Sequence, residues 1–124
     1  MEIKFIKLLL ILVFVNPISG RDWIIPPSSN AQEEIQEALI LAEPGDQVLL
    51  TKGIYNLNHG LSLDIDNVSI LGAGMYETIL DFSNQETGAQ GLLVTSDNVL
   101  MQDFAIENAK GDAIKSKGVK NISF

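Results

Sequence analysis

The chain has 124 residues, enough for one domain built on one core. Eight Lys and Arg stand against sixteen Asp and Glu, a formal net charge of −8, and such a surface repels nucleic acid and anionic membranes. There is no cysteine, which excludes disulfides and a lipid-modified cysteine signal.

Lys4 and Lys7 precede the apolar run Leu8 to Val15, and Asn16-Pro17 then breaks it before Ser19-Gly20. A basic start, a short apolar stretch and small residues at its end predict a signal peptide over residues 1–20. The run is shorter than the ~20 apolar residues that a membrane span needs. Cleavage near Gly20 would release a secreted or periplasmic protein, with no membrane span in the mature chain. Six basic and fifteen acidic side chains remain after residue 20. An exported chain without cysteine suits a bacterial source.

Residues 21–30 carry Pro26-Pro27, which predicts an extended lead-in. Ser29 or Asn30 offers an N-cap. From Ala31 to Ala42, apolar residues fall at Ala31, Ile35, Ala38, Leu39 and Ala42, the stripe of an amphipathic helix. Gln32, Glu33, Gln36 and Glu37 are expected to face away from it, and Pro44-Gly45-Asp46 ends it. No further helical pattern follows, so this helix is expected to cover the end of a stack of strands.

From Val48 onward the pattern is strand and turn. Short apolar runs occur at Val48–Leu50, Ile54–Leu57, Leu61–Leu63, Val68–Leu71 and Thr78–Phe82, with Ser83 to Gln90 expected as a projecting loop. Leu92–Val94, Val99–Met101, Phe104–Ile106, Ala113-Ile114 and Ile122–Phe124 continue the series. One phrase recurs: Gly60-Leu61-Ser62-Leu63 leads to Asn67-Val68-Ser69-Ile70, and Gly91-Leu92-Leu93-Val94 leads to Asn98-Val99-Leu100-Met101. Asn121-Ile122-Ser123-Phe124 ends a looser third pass. A period of this size points to stacked coils that bury their apolar faces on one another. Alternation sends Leu61, Leu63, Val68, Ile70, Val99, Met101, Phe104 and Ile106 inward, and Leu93 and Leu100 outward.

Ile35–Leu39, Ala42–Leu50 and Gly53–Tyr55, with Val68–Gly74 and Thr78–Leu80, resemble the right-handed parallel β-helix family of pectate-lyase-like proteins. The resemblance covers residues 31–124. It implies an all-β, right-handed parallel β-helix with an N-terminal capping helix, as the first coils of a longer solenoid whose remaining coils lie beyond this chain. It also implies a carbohydrate-active protein acting on extracellular polysaccharide. Lysis, epimerisation and hydrolysis all remain open. The alternative is a non-catalytic surface or periplasmic scaffold that binds sugars or partners.

Candidate sites are sparse. Gly72-Ala73-Gly74 lacks the third glycine and the following helix of a dinucleotide fingerprint, and reads as a turn. Asn67, Asn98 and Asn121 recur at one position, and a stacked amide ladder is the expected role. Asn67-Val68-Ser69 and Asn121-Ile122-Ser123 also match the glycan acceptor pattern. His59, the single histidine, is available as a base but reads as a turn residue, and no catalytic residue can be assigned. Among the crowded carboxylates, Asp103, Glu107 and Asp112 are the expected ligands if the protein takes calcium.

Overall fold

The structure is a computed structural model that describes residues 20–124. The expected signal segment lies outside the described residues, apart from Gly20. Strand β1 (Asp22–Ile25) is followed by helix α1 (Ala31–Leu41). Then come β2 (Gln47–Leu50), β3 (Gly53–Asn56), β4 (His59–Leu63), β5 (Ser69–Leu71) and β6 (Thr78–Asp81). The series ends with β7 (Thr87–Val94), β8 (Val99–Gln102), β9 (Ala105–Glu107), β10 (Ile114–Ser116) and β11 (Ile122–Ser123).

These strands divide among three sheets, in the orders β1-β2-β5-β8-β11, β3-β6-β9 and β4-β7-β10, and every pairing is parallel. The expected fold class is corrected by this arrangement. In place of one right-handed β-helix belonging to a longer solenoid, the described residues form three small, separate parallel sheets and one short helix. No strand of one sheet pairs with a strand of another.

The reason lies in the backbone at the strand ends. Asn67, Asn98 and Asn121, just before β5, β8 and β11, have φ of 59°, 57° and 57°. Asp103 and Asn108, just after β8 and β9, have φ of 64° and 61°. Asn and Asp enter this left-handed region more readily than other side chains. A strand cannot continue through it, so each of these residues stops a ladder after a few residues.

All three sheets contribute to one apolar core. Val48, Val68, Ile70, Val99 and Met101 come from the first sheet or its margins, Tyr55 and Leu80 from the second, and Leu61, Leu63, Leu92 and Val94 from the third. The register stacks like on like: Val48 beside Ile70, Ile70 beside Met101, and Leu63 beside Val94. Leu93 and Leu100 are half-buried, and so are Phe104 and Ile106, which pack against the margin of the core. Each fully buried Leu or Val contributes about 1.5–3 kcal/mol by leaving water.

One segment adds to the expectation and another departs from it. The lead-in contains a paired strand, because β1 runs beside β2 from Asp22–Gln47 to Ile25–Leu50. The second half of the loop expected over 83–90 is strand, since β7 begins at Thr87 and shifts register against β4 between His59 and Leu61. Gln85 makes this possible. It is buried, donates to the carbonyls of Thr87 and Gln90, and accepts the Lys110 N–H.

Helix α1 buries Ala31, Ile35, Ala38 and Leu39 and packs on β1 to β4. Two of its polar residues do not face solvent as expected. Gln32 Oε1 accepts the backbone N–H groups of Asn58 and His59, both at 3.1 Å. Gln36 Oε1 accepts Ser62 N–H at 2.9 Å while its Nε2 donates to Ser62 O at 3.1 Å. β4 ends its sheet and would otherwise expose a row of unpaired groups there. Two glutamines one helical turn apart stand in for the missing neighbour strand.

Candidate functional site

The outward face of the third sheet and the turns leading back to the first carry the organised polar groups. Leu61 and Leu63 point inward, so Ser62 and Asp64 point out, and Thr95 follows β7 beside Asp64. Thr95 Oγ1 donates to Asp64 Oδ1 at 2.7 Å. One turn on, Asp66 Oδ1 accepts the Asp97 N–H at 2.7 Å, and Asp97 Oδ1 accepts the Lys120 N–H at 2.8 Å. Asn121 Nδ2 donates to Asn98 Oδ1 at 2.8 Å. Each bond joins residues at equivalent places in successive turns, which flank parallel strands ~4.8 Å apart. The side chains are therefore held in rows instead of sweeping freely through solvent.

The expected amide ladder is present only in part. Asn98 and Asn121 bond, but among the described residues Asn67 makes no side-chain hydrogen bond to Asn98. What the three share is the positive φ, so the recurrence of Asn reflects backbone conformation before side-chain stacking. All three are exposed.

On another corner, Asp81 Oδ1 accepts Asn108 Nδ2 at 2.9 Å and the Ser83 N–H at 2.9 Å. The Asn108 bond, then the Ser83 N–H, holds the Asp81 carboxyl below the usual carboxylate range, against a smaller opposing effect of burial.

The expected calcium set is not assembled. Asp103 occupies the turn between β8 and β9 and accepts Gln102 Nε2, Glu107 ends β9, and Asp112 precedes β10. Asp103 thus precedes β9, while Glu107 and Asp112 flank the connection from β9 to β10. Among the described residues no three His, Asp or Glu side chains converge as a metal-ligand group.

His59 opens β4, with Nδ1 against Thr87 Oγ1 on β7. It lines an open groove of about 550 Å³ between α1 and β4, together with Gly60, Glu33, Glu37, Ile40 and Leu41. A second groove of about 500 Å³ shares Gln36 and Ile40 and runs on past Ser62 and Asp64 to Ile65. Gly72 is a packing glycine, because a Cβ there would lie 2.2 Å from Asp103 O and 2.8 Å from the Phe104 Cβ. The Gly-Ala-Gly turn thus lets two chain segments touch.

In the sequence Asp64, Asp66 and Asp97 stand out only as crowded carboxylates, and neither Thr95 nor the rows they form with it are apparent from residue type alone. The signal was available, since Asp64 and Thr95 each follow the last inward residue of a repeat phrase. No helix among the described residues is long and apolar enough to cross a membrane. Comparison with family models, with curated proteins and with solved structures finds no match to this chain.

Proposed function

We propose that this chain is exported and binds extracellular polysaccharide along the outward flank of its third sheet and the adjoining turns. The observation that carries the reading is the row of fixed polar groups: Asp64 with Thr95, Asp66 with Asp97, Asp97 with Lys120, and Asn98 with Asn121. A linear sugar polymer presents hydroxyl groups at a constant repeat. A surface whose donors and acceptors recur at strand spacing matches such a ligand without ordering its own side chains first. The resemblance of Ile35–Leu39, Ala42–Leu50, Gly53–Tyr55, Val68–Gly74 and Thr78–Leu80 to pectate-lyase-like proteins implies the same ligand class. The role is that of a rigid binding surface.

Affinity electrophoresis through gels containing neutral, amino-sugar or uronate polymers tests it. The mature chain is expected to be retarded by at least one polymer, and Thr95→Arg, which places bulk and charge in the row, is expected to abolish the retardation. Retardation by none of them overturns the proposal. Release of new reducing or unsaturated ends over time would assign a catalytic role in its place.

A further inference from the structure

Helix α1 carries a second stripe besides the one it buries. Glu33, Glu37, Ile40 and Leu41 stand at i, i+4, i+7 and i+8 and share its outward face. Ile40 is 64% exposed and Leu41 54%. This half-acidic, half-apolar stripe forms one wall of the 550 Å³ groove, and His59 and Gly60 of β4 form part of the other. No Lys or Arg lines either of the two connected grooves, and Asp64 adds a third carboxylate at the far end.

The neighbouring strand edge is already occupied. The N–H groups of Asn58, His59 and Ser62 and the Ser62 carbonyl are bonded to Gln32 and Gln36. An extended segment therefore cannot add to β4 at this place, since strand addition depends on free backbone groups. What the groove offers is an aliphatic floor at Ile40 and Leu41 beside carboxylates at Glu33 and Glu37.

We infer that this groove docks an amphipathic helix of a partner protein, with Lys or Arg residues bordering its apolar face. The partner's apolar residues, spaced i, i+3, i+4 and i+7, pack on Ile40 and Leu41. Its basic residues lie over Glu33 and Glu37, where opposite charge speeds encounter and fixes orientation more than it adds affinity. The site meets the polysaccharide-binding flank only at Asp64, at the far end of the second groove; Glu33, Glu37, Ile40 and Leu41 belong to none of the rows at Thr95, Asp97 and Asn98.

The probe is a fluorescein-labelled amphipathic helix of Leu and Lys, titrated with the mature chain at physiological ionic strength and followed by anisotropy. A peptide of the same pattern with Glu in place of Lys is the control ligand. Glu37→Lys and Ile40→Arg change exposed side chains, and thermal unfolding checks that both variants remain folded. Glu107→Lys makes the same charge change at a distant corner. The expected result is binding of the Leu/Lys peptide only, weakened about tenfold or more by Glu37→Lys and by Ile40→Arg and left nearly unchanged by Glu107→Lys. Absence of binding overturns the inference. So does equal weakening by Glu107→Lys, which would show a bulk charge effect. Self-association in sedimentation that Ile40→Arg removes would also overturn it, by assigning the groove to a second copy of this chain.

Discussion

Asp46 accepts the indole N–H of Trp23 at 3.0 Å, across 23 residues of sequence. The same carboxylate accepts Arg21 N–H at 2.8 Å and Glu43 N–H at 2.9 Å. It thereby fastens β1 to the turn that ends α1, while the Arg21 guanidinium lies 3.7 Å from the Trp23 ring centre. Asp46 itself is buried. Burial opposes its charge, but the bonds from Glu43, Trp23 and Arg21 together with the Arg21 charge prevail, and its carboxyl is held below the usual range.

Asp46→Asn places an NH₂ group against N–H donors. The expected cost is about 1–3 kcal/mol in chemical denaturation near neutral pH. A carboxyl lowered on folding adds stability that is complete well above its unfolded value of ~3.9 and is lost as pH falls through the folded value. The gap between wild type and Asp46→Asn should therefore narrow as pH drops below ~4. A gap that stays constant down to the acid limit would remove the carboxylate from this role.

Gln32 is buried, with its side-chain oxygen on two backbone N–H groups. Gln32→Leu should cost about 1–3 kcal/mol, because two part-buried donors lose their partner beneath the helix. Gln36 is more exposed and water can replace it at Ser62, so Gln36→Leu should cost less, about 0.5–1.5 kcal/mol. Denaturant midpoints of the two variants check the order, and a larger loss for Gln36→Leu would refute it.

How much of this was readable follows from the range of the signals. Most strands and inward residues were legible, because alternation is local: Leu61, Leu63, Val68, Ile70, Val99 and Met101 are all buried, whereas Phe104 and Ile106, also expected inside, are only half-buried. The helix was legible from its stripe, and its observed end at Leu41 lies one residue from the predicted one. Gln32 and Gln36 were misread because a polar residue that points at a strand edge has the same spacing as one that points at water. The Trp23–Asp46 bond and the Gln85 network join residues with no periodic relation. The Asn recurrence was visible, but amide stacking and a left-handed backbone leave the same mark in a sequence. The division into three separate sheets depends on where those φ angles fall, which apolar patterning does not encode.

Asn67 separates the two readings of that recurrence. Its φ is 59° and its side chain has no ladder bond to Asn98 among the described residues. Asn67→Gly should be neutral or slightly stabilising, whereas Asn67→Ala should cost ~1 kcal/mol, because alanine keeps the Cβ in the left-handed region without the short polar side chain that eases Asn there. Equal losses for Gly and Ala, measured by thermal unfolding, would return the role to the amide.

Gly72 gives a steric prediction. Gly72→Ala forces a Cβ toward Asp103 O, 2.2 Å away and part of the backbone, so the chain at 103–104 must move. Strain of this kind costs about 1–3 kcal/mol. The loss should appear in the unfolding midpoint, with amide shifts concentrated around Phe104. An unperturbed Phe104 would contradict the contact.

Everything proposed for the flank depends on outward residues standing beside one another across parallel strands, and cross-linking tests that directly. The chain has no cysteine of its own, so introduced pairs report without interference. Ser69 lies opposite Leu100 in the β5–β8 ladder, while Gln102 is two residues further along. Disulfide formation requires Cα atoms within about 7 Å. Ser69→Cys with Leu100→Cys should oxidise readily to an intramolecular disulfide in the folded protein, and Ser69→Cys with Gln102→Cys should not. Ready oxidation of the second pair and not the first would contradict the register on which the binding surface is built.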